Sequence, residues 1–315
     1  MNLRKNQLGF ILILIGMLLF SAQDLLIKLI VKDTSLLQII VFRSFIGFFI
    51  LIFYLISKKK KINLSSSFPK IAIARGFLFF IGFLCFYISL SKITLAEAVS
   101  LFFISPLFMT IFSKIILKNK VGIHRLIAII IGFLGTLLII KPQFINFNWF
   151  MLLPIYCAFT YSLSMILAKK TSQKDDLFQQ LFHIYIGAIL LGTLLTIFFK
   201  YTSLFVNFNN LQILNITWHF TEIKMILPII LISIFGSFGT IFLMLGYRMG
   251  SPVVNAPAEY ILLVFALING LIFFNDQPEF FSIIGMTLIF LSGIFIFIRE
   301  NIRGSLVATK TSLRS

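Results

Sequence analysis

Apolar runs of about twenty residues, long enough to cross ~30 Å of hydrocarbon as helices, recur along the whole chain. They fall at about 8 to 31, 36 to 57, 71 to 91, 95 to 117, 123 to 140, 149 to 168, 177 to 199, 225 to 247, 252 to 274 and 280 to 298. Inside a bilayer every backbone N–H and C=O must be satisfied by the protein itself, so only helices and closed barrels can span it. The short segments of alternating polarity that a barrel needs are absent. The expected fold is therefore an all-α integral membrane protein with ten transmembrane helices.

Composition excludes other classes. With 59% hydrophobic and 12% charged residues, the chain cannot cover a soluble globule, which needs roughly a quarter charged residues. The 40 Phe residues look like compositional bias, and single Phe side chains are read as lipid-facing. A net charge of +17 would suit nucleic acid only on a folded basic face, and no soluble domain exists to carry one, so no nucleic-acid partner is expected. Cys85 and Cys157 lie inside apolar runs, where a thiol behaves as a small hydrophobe, so neither a disulfide framework nor a metal site is expected. Arg4 and Lys5 ahead of an apolar run imitate a signal peptide. The poor cleavage pattern and the many later spans point instead to a retained first helix.

Orientation follows the Lys and Arg residues, which favour cytoplasmic loops. Eighteen of the 27 lie at one set of helix ends, including Arg4, Lys58 to Lys61, Lys169, Lys170 and Arg299; only five lie at the other, namely Lys32, Lys92, Lys141, Lys200 and Lys224. Both termini are expected in the cytoplasm. Sliding the second half on the first also reveals a weak repeat: SLLQIIVFRSFIG (35 to 47) matches DLFQQLFHIYIG (176 to 187) with one gap, pairing Arg43 with His183 and Gly47 with Gly187. Five spans then repeat as five, and an odd number per copy forces the two copies to cross the membrane in opposite directions. The expected organisation is a first repeat over 8 to 142, a second over 149 to 298, and a cytoplasmic tail over 299 to 315.

Residues 90 to 142, beginning LSKITLAEAVSLFF, resemble the end of an EamA domain of the drug/metabolite transporter superfamily, and residues 250 to 298, beginning GSPVVNAPAEY, resemble the same end of a second one. The resemblance spans about residues 8 to 298. It implies two inverted five-helix repeats, a small-metabolite cargo, and a central cavity lined chiefly by helices 1, 3, 4, 6, 8 and 9. SAQD with Lys28, FR at 42 to 43, ARG at 74 to 76 and AEY at 258 to 260 are similar to the branch with S-adenosylmethionine and riboflavin importers. One departure is KNK at 118 to 120, where the family often has a Glu; Asp276 stands in the equivalent turn of the second copy.

Charges within the spans point to function. A charged side chain at mid-bilayer costs at least ~3 kcal/mol, so each must face the bundle interior, a cavity or an interface. Asp24 and Lys28, at i and i+4, are expected to face each other. The repeat places Leu163 and Leu167 opposite them, and this asymmetry favours a solute or coupling role over scaffolding. Glu259 and Tyr260 follow Pro252 and Pro257; the carboxylate suits a proton or a cationic solute, and the ring suits stacking against a heterocycle. Arg43 has Asp24 as its candidate partner. Arg75 and Lys114 are expected to snorkel to the cytoplasmic interface. Glu97 is read as an outer-mouth carboxylate or gate, Ser105 with Pro106 as a loosened stretch of span four, and His183 as a packing or titrating residue. Glycine pairs such as Gly132 with Gly135 and Gly236 with Gly239 allow close helix approach.

No phosphate-cradling glycine loop, metal-spaced His or Cys pair, or Ser, His and Asp set is present, so no enzyme and no cofactor are expected. The expected function is secondary transport of a small polar or zwitterionic metabolite across the bacterial inner membrane by alternating access, with uptake of a cofactor-like solute ahead of export. The candidate site is Asp24, Lys28, Arg43, Glu259 and Tyr260, followed by Arg75, Glu97, Ser105 and His183. Expected partners are the small-molecule solute, membrane lipids and a proton or other coupling ion, with a homodimer left open. A passive channel or a lipid scramblase is the rival class.

Overall fold

The computed structural model describes residues 3–57, 64–118, 123–140, 148–172, 174–202, 218, 223–249, 259, 261–292, 294–295 and 298. Among these residues all regular structure is helical: α1 (Leu3–Ile30), α2 (Leu36–Ser57), α3 (Pro69–Leu90), α4 (Leu95–Phe102), α5 (Ser105–Ile116), α6 (Ile123–Ile140), α7 (Leu152–Thr171) after a 3₁₀ turn at Trp149–Met151, α8 (Leu177–Thr202), α9 (Ile223–Met249), α10 (Ile261–Phe274) and α11 (Phe280–Ser292). Seven apolar stretches are long enough to span a membrane, and Ile130–Ile139, Ile261–Phe274 and Phe280–Ser292 are shorter apolar helices. The chain is a multi-pass integral membrane protein.

The fourth expected span is not one continuous helix. α4 ends at Phe102, the chain turns through Phe103 and Ile104, and α5 restarts at Ser105 with Pro106 in its first turn. Proline has no N–H for the helical ladder, so the break falls where the backbone pattern must be interrupted.

α1 packs along α9, α3 along α7, and α2 against both α8 and α9; α3 also meets α8, α5 lies on α7, and α10 contacts α1 and α4. Lipid is as apolar as the core, so small and polar residues, not hydropathy, separate the inner face from the outer one. Ser100, Ser233 and Thr240 are buried, whereas Phe53 and Phe280 are more than two-thirds exposed. Several buried hydroxyls bond the carbonyl four residues back, as Ser44 does to Ile40, Ser100 to Ala96, Ser233 to Ile229 and Thr240 to Gly236. Glycine is needed where α6 crosses α11: a methyl group on Gly135 would lie 2.8 Å from the Gly285 carbonyl oxygen.

Helices running alternately up and down bring two sets of loops together. At one end the end of α1, the α3–α4 turn and the α10–α11 turn meet. At the other, the segment before α3 meets the α7–α8 turn. Each end carries a polar contact between the first and second halves of the chain, described below.

Candidate functional site

A cavity lies between α1, α3, α4, α7, α9 and α10. These correspond to spans 1, 3, 4, 6, 8 and 9, the set implied by the family resemblance. Helical periodicity explains the lining. α1 contributes Met17, Phe20, Gln23 and Asp24; α3 contributes Phe79, Phe83 and Phe86; α7 contributes Cys157, Tyr161 and Met165; each set lies along one helical stripe. Phe102 and Phe103 enter at the α4–α5 break, and Glu259 with Leu262 enters from the start of α10.

Two carboxylates, Asp24 and Glu259, face this space and are 5% and 6% exposed, within walls that are otherwise mostly aromatic and apolar. Gln23 positions the first: its amide donates to Asp24 Oδ1 at 3.0 Å and to the Tyr87 hydroxyl at 3.2 Å. The Arg43 guanidinium lies 5.1 Å from the centre of the Phe83 ring, within electrostatic reach of Asp24. A cation or the positive end of a zwitterion entering here would meet two acids and several ring faces, and a ring face attracts cations. The expectation that Phe residues are lipid-facing is corrected: six line the cavity.

Lys28 does not pair with Asp24. Its ammonium reaches Asp276 Oδ2 at 3.0 Å and the Ile93 carbonyl at 3.3 Å, and lies 4.6 Å from the centre of the Phe274 ring. Near the end of α1, the lysine stem carries its charge past Asp24 to the loop end of the bundle. Arg75 does not snorkel either. It is 2% exposed, and its Nε donates to the Ser164 carbonyl at 3.1 Å, tying α3 to α7.

Glu97 is engaged by the backbone at the start of α4 and is not a freely solvated carboxylate. Thr94 Oγ1 accepts from the Glu97 N–H at 3.2 Å, and Glu97 Oε2 accepts from the Thr94 N–H at 3.1 Å, a reciprocal cap on α4. Ser105 is buried outside the cavity wall, its carbonyl accepting from Ser162 at 2.8 Å. His183 Nδ1 sits 2.7 Å from the Gln179 carbonyl, beside Phe182, which fits a packing role. Lys114 is exposed, in keeping with snorkelling. Tyr260, Pro252 and Pro257 lie outside the described residues.

At the other end Asp175 accepts from Ser66 Oγ and from the Ser67 N–H at 2.8 Å, and Gln179 donates to the Ser65 carbonyl at 2.9 Å. Burial pushes the Asp175 carboxyl up, but the Ser66 and Ser67 hydrogen bonds and the nearby His183 outweigh it and hold the group below its usual range.

Gln23, Tyr87, Cys157, Tyr161, Asp276 and the cavity phenylalanines were not legible as site residues. The Phe79, Phe83 and Phe86 stripe at helical spacing was a signal, but the 40 Phe residues obscured it.

Helices from both halves of the chain thus surround a mostly apolar and aromatic cavity that holds two carboxylates. Residues 7–141 match the EamA-like transporter family. The chain is 24% identical to the S-adenosylmethionine uptake transporter of Rickettsia bellii, over 95% of this chain and 96% of that one. It is 23% identical to the pseudopaline exporter of Pseudomonas aeruginosa, over 89% and 93%. A segment covering 25% of this chain and 27% of the riboflavin transporter of Vibrio cholerae is 38% identical. A solved crystal structure superposes on 100% of both chains with a TM-score of 0.61 at 16% identity, which shows the fold.

Proposed function

We propose that the protein takes up a small organic solute bearing positive charge, cationic or zwitterionic, by alternating access across the bacterial inner membrane. The observation that carries this reading is the pair of buried carboxylates, Asp24 and Glu259, in one cavity with six phenylalanines. The low-dielectric walls strengthen attraction to a cation, and the aromatic faces suit a sulfonium, quaternary ammonium or heterocycle. The S-adenosylmethionine uptake relatives give a first test solute. In this reading Asp24, Glu259 and Arg43 face the solute with Tyr260, and Lys28 acts in gating.

Ten spans arranged as two inverted repeats, over 8 to 142 and 149 to 298, with both termini cytoplasmic, supply the moving parts. Helix contacts support the repeat: exchanging each span for the one five places away turns α1 with α9 into α7 with α3, and α2 with α9 into α8 with α3, and all of these pairs are packed. The contacts at the two ends serve as latches. Lys28 with Asp276 joins the halves at the end where the loops carry few cations, and Ser66 and Ser67 with Asp175 join them at the cation-rich end. Opening either side requires its latch to separate while the other remains closed.

Purified protein in liposomes, offered labelled S-adenosylmethionine, tests the proposal. Saturable uptake, stimulated by unlabelled solute preloaded inside, is the carrier result. Non-saturating flux would favour a channel, movement of labelled lipid a scramblase, and transport only from the cytoplasmic face an exporter.

A further inference from the structure

Beside the cavity, in the seam between α1, α2, α8 and α9, four buried polar atoms lack a hydrogen bond of normal geometry: Gln23 Oε1, Arg43 Nε, the Tyr185 hydroxyl and Ser237 Oγ, the two hydroxyls lying close enough to interact with each other. Gln23, Tyr185 and Ser237 are 1%, 6% and 1% exposed. The four converge over two glycines. A methyl group on Gly236 would overlap both Gln23 Oε1 and Arg43 Nε, and one on Gly47 would stand 2.7 Å from Ser237 Oγ and 2.9 Å from the Tyr185 ring carbon that bears the hydroxyl. Gly47 is one turn along α2 from Arg43, so the guanidinium and the two hydroxyls share one stretch of the seam.

Ser237 differs from its neighbours on α9. Ser233 and Thr240 satisfy themselves on carbonyls four residues back, whereas the Ser237 hydroxyl is left toward Tyr185. Buried hydroxyls without a well-formed hydrogen bond are uncommon in native proteins and call for an explanation. The set consists of one fixed cation and two hydroxyls able to donate, which is the chemistry of an anion site and not of a metal site. Gln23 Oε1 is an acceptor, and the five N–H donors of arginine are enough for both it and a carboxylate. The niche adjoins the cavity through Gln23 and Phe83, which line the cavity and stand next to Arg43.

We infer that Arg43, Tyr185 and Ser237 form a carboxylate-binding subsite that takes the anionic end of the solute while its cationic end lies against Asp24 and Glu259. This assignment rests on the uptake reading and narrows it to zwitterions. A zwitterion brings one charge of each sign to a site that already holds both signs, so each charge leaving water meets a fixed opposite charge.

Two measurements on the purified full chain test it. The first uses acetate alone, read as the shift in melting temperature during a titration, for the wild type and for the double variant Tyr185→Phe with Ser237→Ala. Any bond these two hydroxyls make is to each other, so removing both together leaves no orphaned partner and the variant is expected to fold. A saturable acetate shift in the wild type that disappears in the variant supports the niche; no saturable shift, or one that survives in the variant, overturns it. The second compares S-adenosylmethionine with its decarboxylated form in liposome uptake. The expected wild-type preference for the carboxylated solute is at least about tenfold in apparent affinity, falling toward one in the double variant and in Arg43→Met.

If acetate binds at the niche but the wild type shows no preference, the ligand is a free small anion and the solute-carboxylate assignment is overturned. If acetate binds and neither solute is carried, the uptake reading falls while the anion niche stands. If S-adenosylmethionine is carried with a preference that the variants leave intact, the uptake reading stands and the subsite is overturned.

Discussion

Replacing Asp24 by Asn is the sharpest test of the cavity. The substitution keeps the side-chain shape, and the amide oxygen can still accept the 3.0 Å hydrogen bond from Gln23, so the loss is confined to one negative charge. For a solute cation about 4 Å from the carboxylate, an effective dielectric of about 20 gives roughly 4 kcal/mol of attraction; at about 8 Å it gives roughly 2 kcal/mol. At 1.4 kcal/mol per factor of ten, apparent affinity for a cationic solute should fall between about 30-fold and about 1000-fold. The assay is concentration-dependent uptake of S-adenosylmethionine into liposomes at matched protein levels, repeated at low and high salt. Asp24 is 5% exposed, so the ratio of wild type to variant should change little with ionic strength. An affinity change below about threefold, or an equal loss for a neutral solute, would refute the role given to this charge.

Breaking the Lys28–Asp276 contact with Asp276→Asn should favour the state open at that end. The partners are 11% and 21% exposed, so the pair is worth about 1 kcal/mol, or roughly fivefold in population. In a Cys85→Ser background the buried Cys157 on the cavity wall reports this as faster reaction with a small thiol reagent, and an unchanged rate would argue against a latch. Asp175→Asn should lower thermal stability by a similar amount at pH 5 to 8. Because the folded carboxyl titrates below its unfolded value of about 3.9, the stabilisation is complete above that value and is lost as pH falls through the folded one. A wild-type advantage that grows on acidification would contradict this. Thr94→Ala should cost about 1 kcal/mol of stability through the α4 cap, whereas Glu97→Gln should leave solute affinity unchanged; a large affinity loss in the latter would point to Glu97 as a gate.

Span positions were legible because the requirement that sets them is local. A helix must be apolar over the thickness of the hydrocarbon, and hydropathy alone placed α2, α3 and α6 within a residue or two of their observed ends. The cap of α4 was equally local: Thr94 and Glu97 carry the spacing of a capping box, and reading Glu97 as a mouth charge overlooked it. Asp24 and Glu259 stood out as site candidates because a carboxylate in a span is costly wherever it points.

What each side chain meets was decided by tertiary structure. Lys28 was expected to find Asp24 one turn away, yet its partner is Asp276, 248 residues along the chain, because the close packing of α1 with α10 brings that turn within reach. Which phenylalanines face the cavity and which face lipid also escaped the sequence. Phe83 and Phe53 are the same residue in equally apolar helices, and only the neighbours packed around each distinguish them. In a soluble protein, water marks the outer face and makes the pattern readable. In a bilayer both faces are apolar, so the sequence by itself determined where the apolar helices lie along the chain, and the packing of one half against the other determined the cavity.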